Sequence, residues 1–203
     1  MDASENYTFF WKHTQANGWL SQWFSSPFED PSGLRFFTTE QYMMYMKALR
    51  FGDGNTARII LGTEDAHPHF HRSMRRQASG FRDDVWSSVS YNIVLAESWM
   101  KFSQNPDLRS MLLSTAGTDI LEASPSDRVW GIGFDESNAL KNRGRWGENR
   151  LGKILTKVRD MMLAGEGLDV VSTIDKVVMT DLPSPRESRG GSREDIEKCK
   201  LCG

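Results

Sequence analysis

The sequence predicts a mainly α-helical fold, an α+β domain with a few short strands. Apolar residues recur at spacings of three and four over several long stretches, which is the period of amphipathic helices. Only two short apolar runs are typical of strands. The chain has 203 residues, a length suited to a single compact domain followed by a tail.

The first predicted helix follows a loop rich in Pro, Gly and Ser at residues 24–36. Thr38 or Thr39 is a suitable N-cap for it, and the helix is expected to run for about three turns. The segment FGDG (51–54) ends this helix, because glycine readily adopts a positive φ. A second, short helix is predicted at residues 55–61.

The longest predicted helix covers residues 83–103, where apolar residues keep the helical period. Pro106 is expected to start the next helix, because proline is favoured in a first helical turn. The runs ILEASP (120–125) and VWGIGF (129–134) are predicted to pair as two strands. The last strongly periodic helix is predicted at residues 150–163.

The composition changes after this helix. Residues 168–182 retain some apolar periodicity and predict an extra helix. From Pro183 onward the chain is charged and poor in apolar residues, as disordered tails are. The expected organisation is a main domain at residues 1–163 and a partly disordered C-terminal extension at residues 164–203.

Bulk composition narrows the class of protein. The formal net charge is −2, so the whole chain does not attract nucleic acid, although a local basic patch is compatible with this value. No run of 18 apolar residues predicts a membrane span, and the first residues lack the pattern of a secretory signal. Two cysteines do not support a disulfide-stapled fold. We therefore expect an intracellular protein, cytoplasmic or nuclear, without membrane contact.

The helix sequence TTEQYMMYMKALRFGD places one acid and one base on the same face. Glu40 and Lys47 are seven residues apart, which is about 20° short of two full turns and roughly 10 Å along the axis. One interpretation is an ordinary solvent-facing pair. The other is a lysine in an apolar setting, which loses proton affinity and becomes an amine nucleophile. A nearby carboxylate would then shuttle its proton.

A second candidate site is ILEASPSDRVWGIG, residues 120–133. Glu122 and Asp127 flank a proline, and Trp130 follows them. Two carboxyl groups beside an aromatic surface suit cleavage of a glycosidic bond, where one protonates the leaving group and the other stabilises an oxocarbenium-like centre. The alternative is a structural turn in which Asp127 is a cap and Glu122 forms an ion pair.

A third candidate is WGENRLGK, residues 146–153, at the start of the last helix. Asn149 is a good N-cap, and free backbone N–H groups at a helix start can bind a phosphate. The alternative is an ordinary capped helix. The arginines near this segment support the phosphate hypothesis and are Arg143, Arg145 and Arg150.

Histidine and cysteine spacings suggest metal sites only weakly. The segment HPHFH holds His67, His69 and His71 within the predicted loop and basic turn at 65–81, but no acid or cysteine completes a ligand set. Cys199 and Cys202 form half of a zinc motif without a second half. A polar loop and reduced thiols in a mobile tail are the favoured interpretations, so no metal site is expected.

Five ordered motifs together resemble the NADAR family, also called YbiA-like. The motifs cover about residues 8–162 and are SQWFSSPF, TTEQYMMYMKALRFGD, WMKFSQNPDLRSMLLSTAG, LEASPSDRVWGIG and WGENRLGKILTKVR. The resemblance implies a compact, mainly helical domain that needs no cofactor. It also implies an N-glycosidase for ribosyl-linked, phosphate-bearing substrates.

Two activities follow from the resemblance. One releases ADP-ribose from ADP-ribosylated guanine in nucleic acid, or in a nucleoside or nucleotide. The other cleaves phosphoribosylamino-pyrimidine intermediates of riboflavin synthesis. A third hypothesis, from another class, is a module that binds ADP-ribose without hydrolysing it.

The resemblance also implies roles for individual residues. Lys47 would attack the anomeric carbon and open the ribose to a Schiff base, while Glu40 assists proton transfer. Glu122 and Asp127 match the acids of the fourth family motif, LEASPSDRVWGIG. The expected substrate-binding residues match the remaining motif positions and are Ser21, Trp23, Phe28, Arg76, Trp86, Trp130, Gly131, Asn149 and Gly152. Arg75 stands where the family has glycine.

Basic residues outside the motifs predict a local patch for direct contact with DNA. Such a patch would matter for a polymeric substrate and little for a metabolite, and it would make binding sensitive to salt. Its expected members are Arg72, Arg75, Arg76, Arg82, Lys141, Arg143 and Arg145.

Overall fold

The computed structural model describes residues 6–63 and 79–178. Within these ranges the fold is mainly helical with a few short strands, which confirms the predicted class. The helices are α1 (Thr39–Arg50), α2 (Gly54–Leu61), α3 (Asp83–Gln104), α4 (Pro106–Ser114), α5 (Glu136–Ala139), α6 (Arg150–Leu163) and α7 (Val170–Val178). The strands are β1 (Tyr7–Phe10), β2 (Phe28–Glu29), β3 (Arg35–Phe36) and β4 (Asp119–Glu122). Two 3-10 turns lie at Gly18–Leu20 and Leu140–Arg145.

Helix α1 begins and ends at the residues that its sequence predicts. The Thr38 hydroxyl accepts the backbone N–H of Gln41 at 3.1 Å, so Thr38 is the N-cap. Beyond the last turn, Gly52 has a φ of +71°, the left-handed conformation that terminates helices. The helix buries Tyr42 and Met46 against the core and is thereby fixed in rotation about its axis.

The pairing predicted for residues 129–134 is wrong. Strand β4 instead pairs in parallel with β1, with Tyr7 opposite Asp119 and Phe10 opposite Glu122. The segment 128–132 lies against the start of α6, where its carbonyl groups accept the N–H groups of residues 147–151. It touches β4 through a single backbone bond, from Ile132 N–H to the Glu122 carbonyl at 2.9 Å.

Helix α3 is the centre of the core, because its Ile93, Val94 and Phe102 are fully buried. Helix α6 packs beside it through an apolar stripe that includes Ile154 and Val158. A second cluster joins α1, α3 and the β2–β3 hairpin. These contacts hold α1 and the ends of the parallel strands in fixed positions around one side of the domain.

Helix α7 packs against the second cluster through Val170 and Ile174 and lies within the segment predicted to form an extra helix. The division of the chain at residue 163 stays a prediction. Among the described helices, none has the length and apolar character needed to cross a membrane. The predicted histidine loop, the C-terminal tail and Cys199 and Cys202 lie outside the described residues.

Candidate active site

One cavity of about 610 Å³ collects most of the predicted site residues. Five parts of the chain surround it: residues 11–14, residues 21–23, helix α1, the segment 122–130 and Leu151 of α6. Because β1 and β4 are parallel, the loops that follow them meet at the same edge of the sheet. A volume of this size is within the range of small-molecule sites, which is about 300–1,000 Å³.

Three carboxyl groups line this cavity. Glu40 reaches it from α1, while Glu122 and Asp127 reach it from the loop after β4. Burial, together with the nearby charges of Asp127 and Glu40, raises the pKa of Glu122 to about 8. The Oε2 atom of Glu122 is buried and has no hydrogen-bond partner. Glu122 is therefore protonated at neutral pH and can donate a proton.

Asp127 has the structural role that the alternative interpretation predicted for it. One of its oxygens, Oδ1, accepts the backbone N–H groups of Val129 at 2.9 Å and Trp130 at 2.8 Å. These bonds fix the turn that presents the Trp130 side chain to the cavity. The ion pair expected for Glu122 in that interpretation is not found among the described residues. Asp127 thus orients the aromatic wall and keeps a negative charge near Glu122.

Lys47 lies on the same face of α1 as Glu40 but beyond the cavity lining. Met43, between them on that face, lines the cavity, whereas Lys47 does not. The Lys47 amine is 4.1 Å from the centre of the Phe81 ring and 5.3 Å from that of Trp86. Burial lowers the pKa of Lys47, and the charges of Glu40 and Asp83 partly oppose this shift.

This position favours the hypothesis of a desolvated amine over that of a solvent-facing pair. The side chain of Lys47 is half-buried, and Glu40 is only 8% exposed. A lysine with a lowered pKa has a larger neutral fraction at physiological pH, and the neutral amine is the nucleophile. The Phe81 and Trp86 rings supply the apolar surface that desolvates it.

The predicted substrate-binding residues divide into two groups. Ser21, Trp23 and Trp130 line the cavity. Phe28, in contrast, is a core residue that stacks on Phe36 with ring centres 5.9 Å apart, and Trp86 contacts Lys47 rather than the cavity. A further member, Arg76, lies outside the described residues.

Gly131 lies behind the cavity rather than on its surface. A Cβ atom built at this position would come within 2.8 Å of the Glu122 carbonyl oxygen. The position therefore requires glycine for the close approach of the 128–132 segment to β4.

Asn149 holds the sheet rather than capping the helix. Its side-chain oxygen accepts the Glu122 N–H at 3.0 Å, and its side-chain nitrogen donates to the Ile120 carbonyl at 2.9 Å. Asn149 occupies the N-cap position of α6 with a φ of +50° and makes no side-chain cap bond. The side-chain amide thus takes the place of a neighbouring strand beside β4.

The phosphate site predicted at this helix start is wrong. The N–H groups of Asn149, Arg150 and Leu151 donate to the carbonyl groups of residues 129–131 and are not open to an anion. Arg150 pairs with Glu148 at 2.7 Å, and neither side chain lines the cavity. Arg143 and Arg145 lie on a separate exposed surface, over the rings of Tyr7 and Phe134 respectively.

Gly152 allows α6 to approach β4 closely, so its replacement is expected to destabilise the fold. A Cβ atom at this position would lie 2.1 Å from the Ile120 carbonyl oxygen and 2.5 Å from the Asn149 side chain. We expect Gly152→Ala to lower the free energy of unfolding by about 1–3 kcal/mol or more, because the obstructing atoms belong to backbone and to a fixed amide.

Urea unfolding measures this loss, with Gly167→Ala as the matched control. A Cβ at residue 167 meets nothing within 4 Å. An equal change in both variants would contradict a packing role for Gly152.

Several cavity residues were not predicted from the sequence. Residues 11–14, Gln22 and Met43 line it beside the predicted ones. Beneath it, the buried Glu97 accepts the Gln22 side-chain amide at 2.5 Å, and the buried Lys101 donates to the Ser21 carbonyl at 3.0 Å. The sequence did contain a signal for Glu97 and Lys101. They are two charged residues one turn apart among the apolar residues of the longest predicted helix.

The described residues show no arrangement of three His, Cys, Asp or Glu side chains able to hold a metal ion. The predicted histidine and cysteine ligands lie outside these ranges.

Comparisons with known proteins show which proteins this chain is similar to. An N-glycosidase of Acanthamoeba polyphaga mimivirus is 37% identical over 147 residues, which are 70% of this chain and 85% of that protein. The chloroplastic riboflavin biosynthesis protein PYRR of Arabidopsis thaliana is 35% identical over 102 residues, which are 50% of this chain and 16% of that protein.

A solved structure shows the same fold. The NMR structure of the Escherichia coli protein YbiA aligns with a TM-score of 0.64 at 24% identity, over 79% of this chain and 87% of that chain. The family model described as the NADAR domain matches residues 9–163, the range that contains all five sequence motifs. The chain therefore belongs to the NADAR domain family.

Proposed function

We propose that the protein is an N-glycosidase that releases ADP-ribose from ADP-ribosylated guanine through a lysine Schiff base. The observation that carries this proposal is the half-buried Lys47 amine with a lowered pKa, on the same helix face as the cavity carboxyl group of Glu40. The relative named an N-glycosidase supports the bond type.

The residues support the following sequence of steps. The neutral Lys47 amine attacks C1 of the ribose, the bond from C1 to the ring oxygen breaks, and the ring oxygen takes up the proton that Glu40 relays from the attacking nitrogen. Glu40 accepts the proton that the attacking nitrogen loses. Glu122, which is protonated at neutral pH, delivers a proton to the departing guanine nitrogen as the bond from C1 to that nitrogen breaks.

The product of this step is a protonated Schiff base between Lys47 and C1. Water adds to C1 and returns one proton to Glu122. The proton of the new hydroxyl group then moves to Nζ as the bond from C1 to Nζ breaks, so that ADP-ribose is released and the free Lys47 amine is regenerated. The tryptophan side chains of the cavity, Trp11, Trp23 and Trp130, offer planar surfaces for the bases of the substrate. The amine lies beyond Met43, so the sugar has to occupy the part of the site between Met43 and Phe81.

The direct test is to incubate the protein with ADP-ribosylated guanosine and with ADP-ribosylated DNA and to follow release of ADP-ribose by mass spectrometry. We expect release from at least one of the two, at a rate that scales with enzyme concentration. The proposal fails if the wild type binds ADP-ribose but leaves both substrates intact under conditions where another family member cleaves them.

A second candidate substrate is a phosphoribosylamino-pyrimidine intermediate of riboflavin synthesis, and the plant riboflavin protein favours it. The same amine and carboxyl groups would cleave its N-glycosidic bond. An exposed basic surface allows the two candidate substrates to be distinguished by experiment. Arg128 and Arg145 place their guanidinium groups 5.8 and 5.6 Å from the Phe134 ring centre, and Arg143 lies over Tyr7.

For a DNA substrate, phosphate contacts at this surface would make cleavage fall with salt and with loss of Arg143 and Arg145. For a metabolite, neither change would matter. The DNA patch predicted from the sequence thus stays a proposal, with Lys141, Arg143 and Arg145 exposed and Arg82 paired with Asp84 at 2.7 Å. The remaining members, Arg72, Arg75 and Arg76, lie outside the described residues.

The raised pKa of Glu122 predicts how activity depends on pH. A general acid must be protonated, so kcat/KM is expected to fall as pH rises through about 8. Glu122→Gln should remove this alkaline limb and lower the rate by about 10²–10⁴-fold, the usual contribution of such a group. A pH–rate profile of both proteins measures this, with Glu148→Gln as the exposed control. An alkaline limb that persists in Glu122→Gln would assign it to another group.

The same shift in the pKa of Glu122 predicts that the stability of the fold also falls as pH rises. The carboxyl group titrates near 4.5 when exposed and at about 8 in the fold, so the unfolded chain binds fewer protons between these values. Stability is therefore lost as pH rises from about 4.5 to 8, and Glu122→Gln should flatten that decline in urea titrations.

A further inference from the structure

The loop after β1 is the basic part of an otherwise acidic cavity. Among the described residues that line the cavity, Lys12 and His13 are the only basic ones. The carboxyl groups of Glu40, Glu122 and Asp127 line the rest of its charged surface. A negatively charged group of a ligand is repelled by those acids and attracted by the loop.

The loop has a defined conformation that places these side chains. Gln15 N–H donates to the Lys12 carbonyl at 3.0 Å, and the Gln15 side chain accepts the Lys12 N–H at 3.3 Å. Asn17, with a φ of +55°, donates from its side chain to the Phe9 carbonyl at 3.0 Å. The next residue packs against the loop so closely that a Cβ on Gly18 would lie 2.4 Å from the His13 carbonyl oxygen.

The Lys12 ammonium is held against an aromatic wall of the same cavity. Its Nζ lies 4.4 Å from the centre of the Trp11 ring, within the range of a cation–π contact. Lys12 is exposed and His13 is half-buried, so both can be reached by a ligand from the open side. A base stacked on tryptophan would therefore lie next to a cation.

The other anion site suggested by the sequence is closed, which strengthens this assignment. The start of α6 has its N–H groups occupied by the carbonyl groups of residues 129–131, and Arg143 and Arg145 lie outside the cavity lining. A phosphate-bearing ligand in this cavity is therefore left with the loop after β1 among the described residues.

We propose that residues 11–14 form the phosphate subsite of the cavity, with Lys12 and His13 binding the phosphate or diphosphate and Trp11 covering it. The subsite takes the phosphate that is attached to the ribose of an N-glycoside. It rests on the proposed function only for the position of the sugar, which lies between this loop and Lys47. The carboxyl groups then face the anomeric carbon, away from the phosphate.

The experiment measures binding without turnover. Ribose 5-phosphate, ADP-ribose and ribose are titrated by calorimetry into the wild type, Lys12→Ala, His13→Ala and the double variant, with Lys157→Ala on the exposed face of α6 as the control. Each loss of a charge-assisted hydrogen bond is expected to weaken binding of the two phosphate-bearing probes by roughly tenfold. Binding of ribose should be unchanged, and the wild-type affinity for the phosphates should fall with salt.

The outcomes separate this inference from the proposed function. Weaker phosphate binding in Lys12→Ala supports the subsite even if no glycosidase activity is found. Equal affinity of wild type and double variant for ribose 5-phosphate and ADP-ribose overturns it even if the enzyme is active. An equal loss of ribose and ribose 5-phosphate binding also overturns it, because the loop would then act by shaping the cavity rather than by binding phosphate.

Discussion

Lys47→Ala is expected to lower N-glycosidase activity by roughly 10³-fold or more, because the variant lacks the nucleophile that the proposed covalent step requires. The residue is suited to this step by its position. Its amine lies against the Phe81 and Trp86 rings, and burial lowers its pKa. Single-turnover kinetics on ADP-ribosylated guanosine measures the chemical step directly.

Lys47→Arg is the informative partner of this variant. Arginine retains the positive charge and the contact with the aromatic rings, but its guanidinium group stays protonated and is a poor nucleophile. A covalent role predicts that arginine is as inactive as alanine. An electrostatic role predicts that arginine retains most of the activity.

Borohydride reduction tests the intermediate itself. Reduction during turnover should trap a stable secondary amine, and mass spectrometry should place the added mass on the peptide that contains Lys47. The adduct should be absent from Lys47→Arg and present in Lys157→Ala. An unchanged rate in Lys47→Ala, or an adduct on Lys101, would remove Lys47 from the mechanism.

The helices could be predicted from the sequence because their signals are local. Thr38 caps α1 through a bond to a residue three positions away, and glycine ends it within two residues. The strand pairing failed for the complementary reason. The partner of Tyr7 is Asp119, and no pattern within either segment specifies a contact over that separation.

The same contrast explains which site residues were found. Glu40, Glu122 and Trp130 converge on the cavity, and chemical reasoning about their types had selected them. The loop at residues 11–14 joins them only because β1 lies beside β4. A motif match does not distinguish residues that contact a ligand from residues that only hold the fold. It therefore also selected Phe28, which packs in the core, and Gly152, which packs against β4.

The wall of the cavity formed by residues 21–23 depends on two buried charged residues of α3. Lys101 is 1% exposed and donates to the Ser21 carbonyl, and Glu97 is fully buried and accepts the Gln22 amide. The Gln22 carbonyl in turn accepts the Glu40 N–H at 3.0 Å. The pair thus connects the core to the start of the helix that carries Glu40.

Lys101→Met is therefore expected to be strongly destabilising. It removes the positive charge that offsets the buried Glu97 carboxyl group and leaves the Ser21 carbonyl without its donor. Leaving a buried carbonyl group without its donor costs about 1–3 kcal/mol of the free energy of unfolding, and the uncompensated carboxyl group adds to this loss. Urea unfolding followed by tryptophan fluorescence measures the loss.

The sign of the pH dependence follows from both groups. Burial raises the pKa of Glu97 and lowers that of Lys101 to about 7. Without Lys101, the free energy of unfolding falls as pH rises above the unfolded pKa of Glu97, because the fold favours the protonated carboxyl group. Lys101 itself contributes a gain in stability above pH 7, because its amine is deprotonated in the fold before it is in the unfolded chain. The difference between Lys101→Met and wild type should therefore be larger at pH 8 than at pH 6.

The double variant Glu97→Gln/Lys101→Met separates charge from packing. The glutamine side chain can still accept the Gln22 amide, and no buried carboxyl group remains to be offset, so most of the lost stability should return. If the double variant is as unstable as Lys101→Met alone, the lysine stem and its bond to Ser21 hold this wall without help from charge.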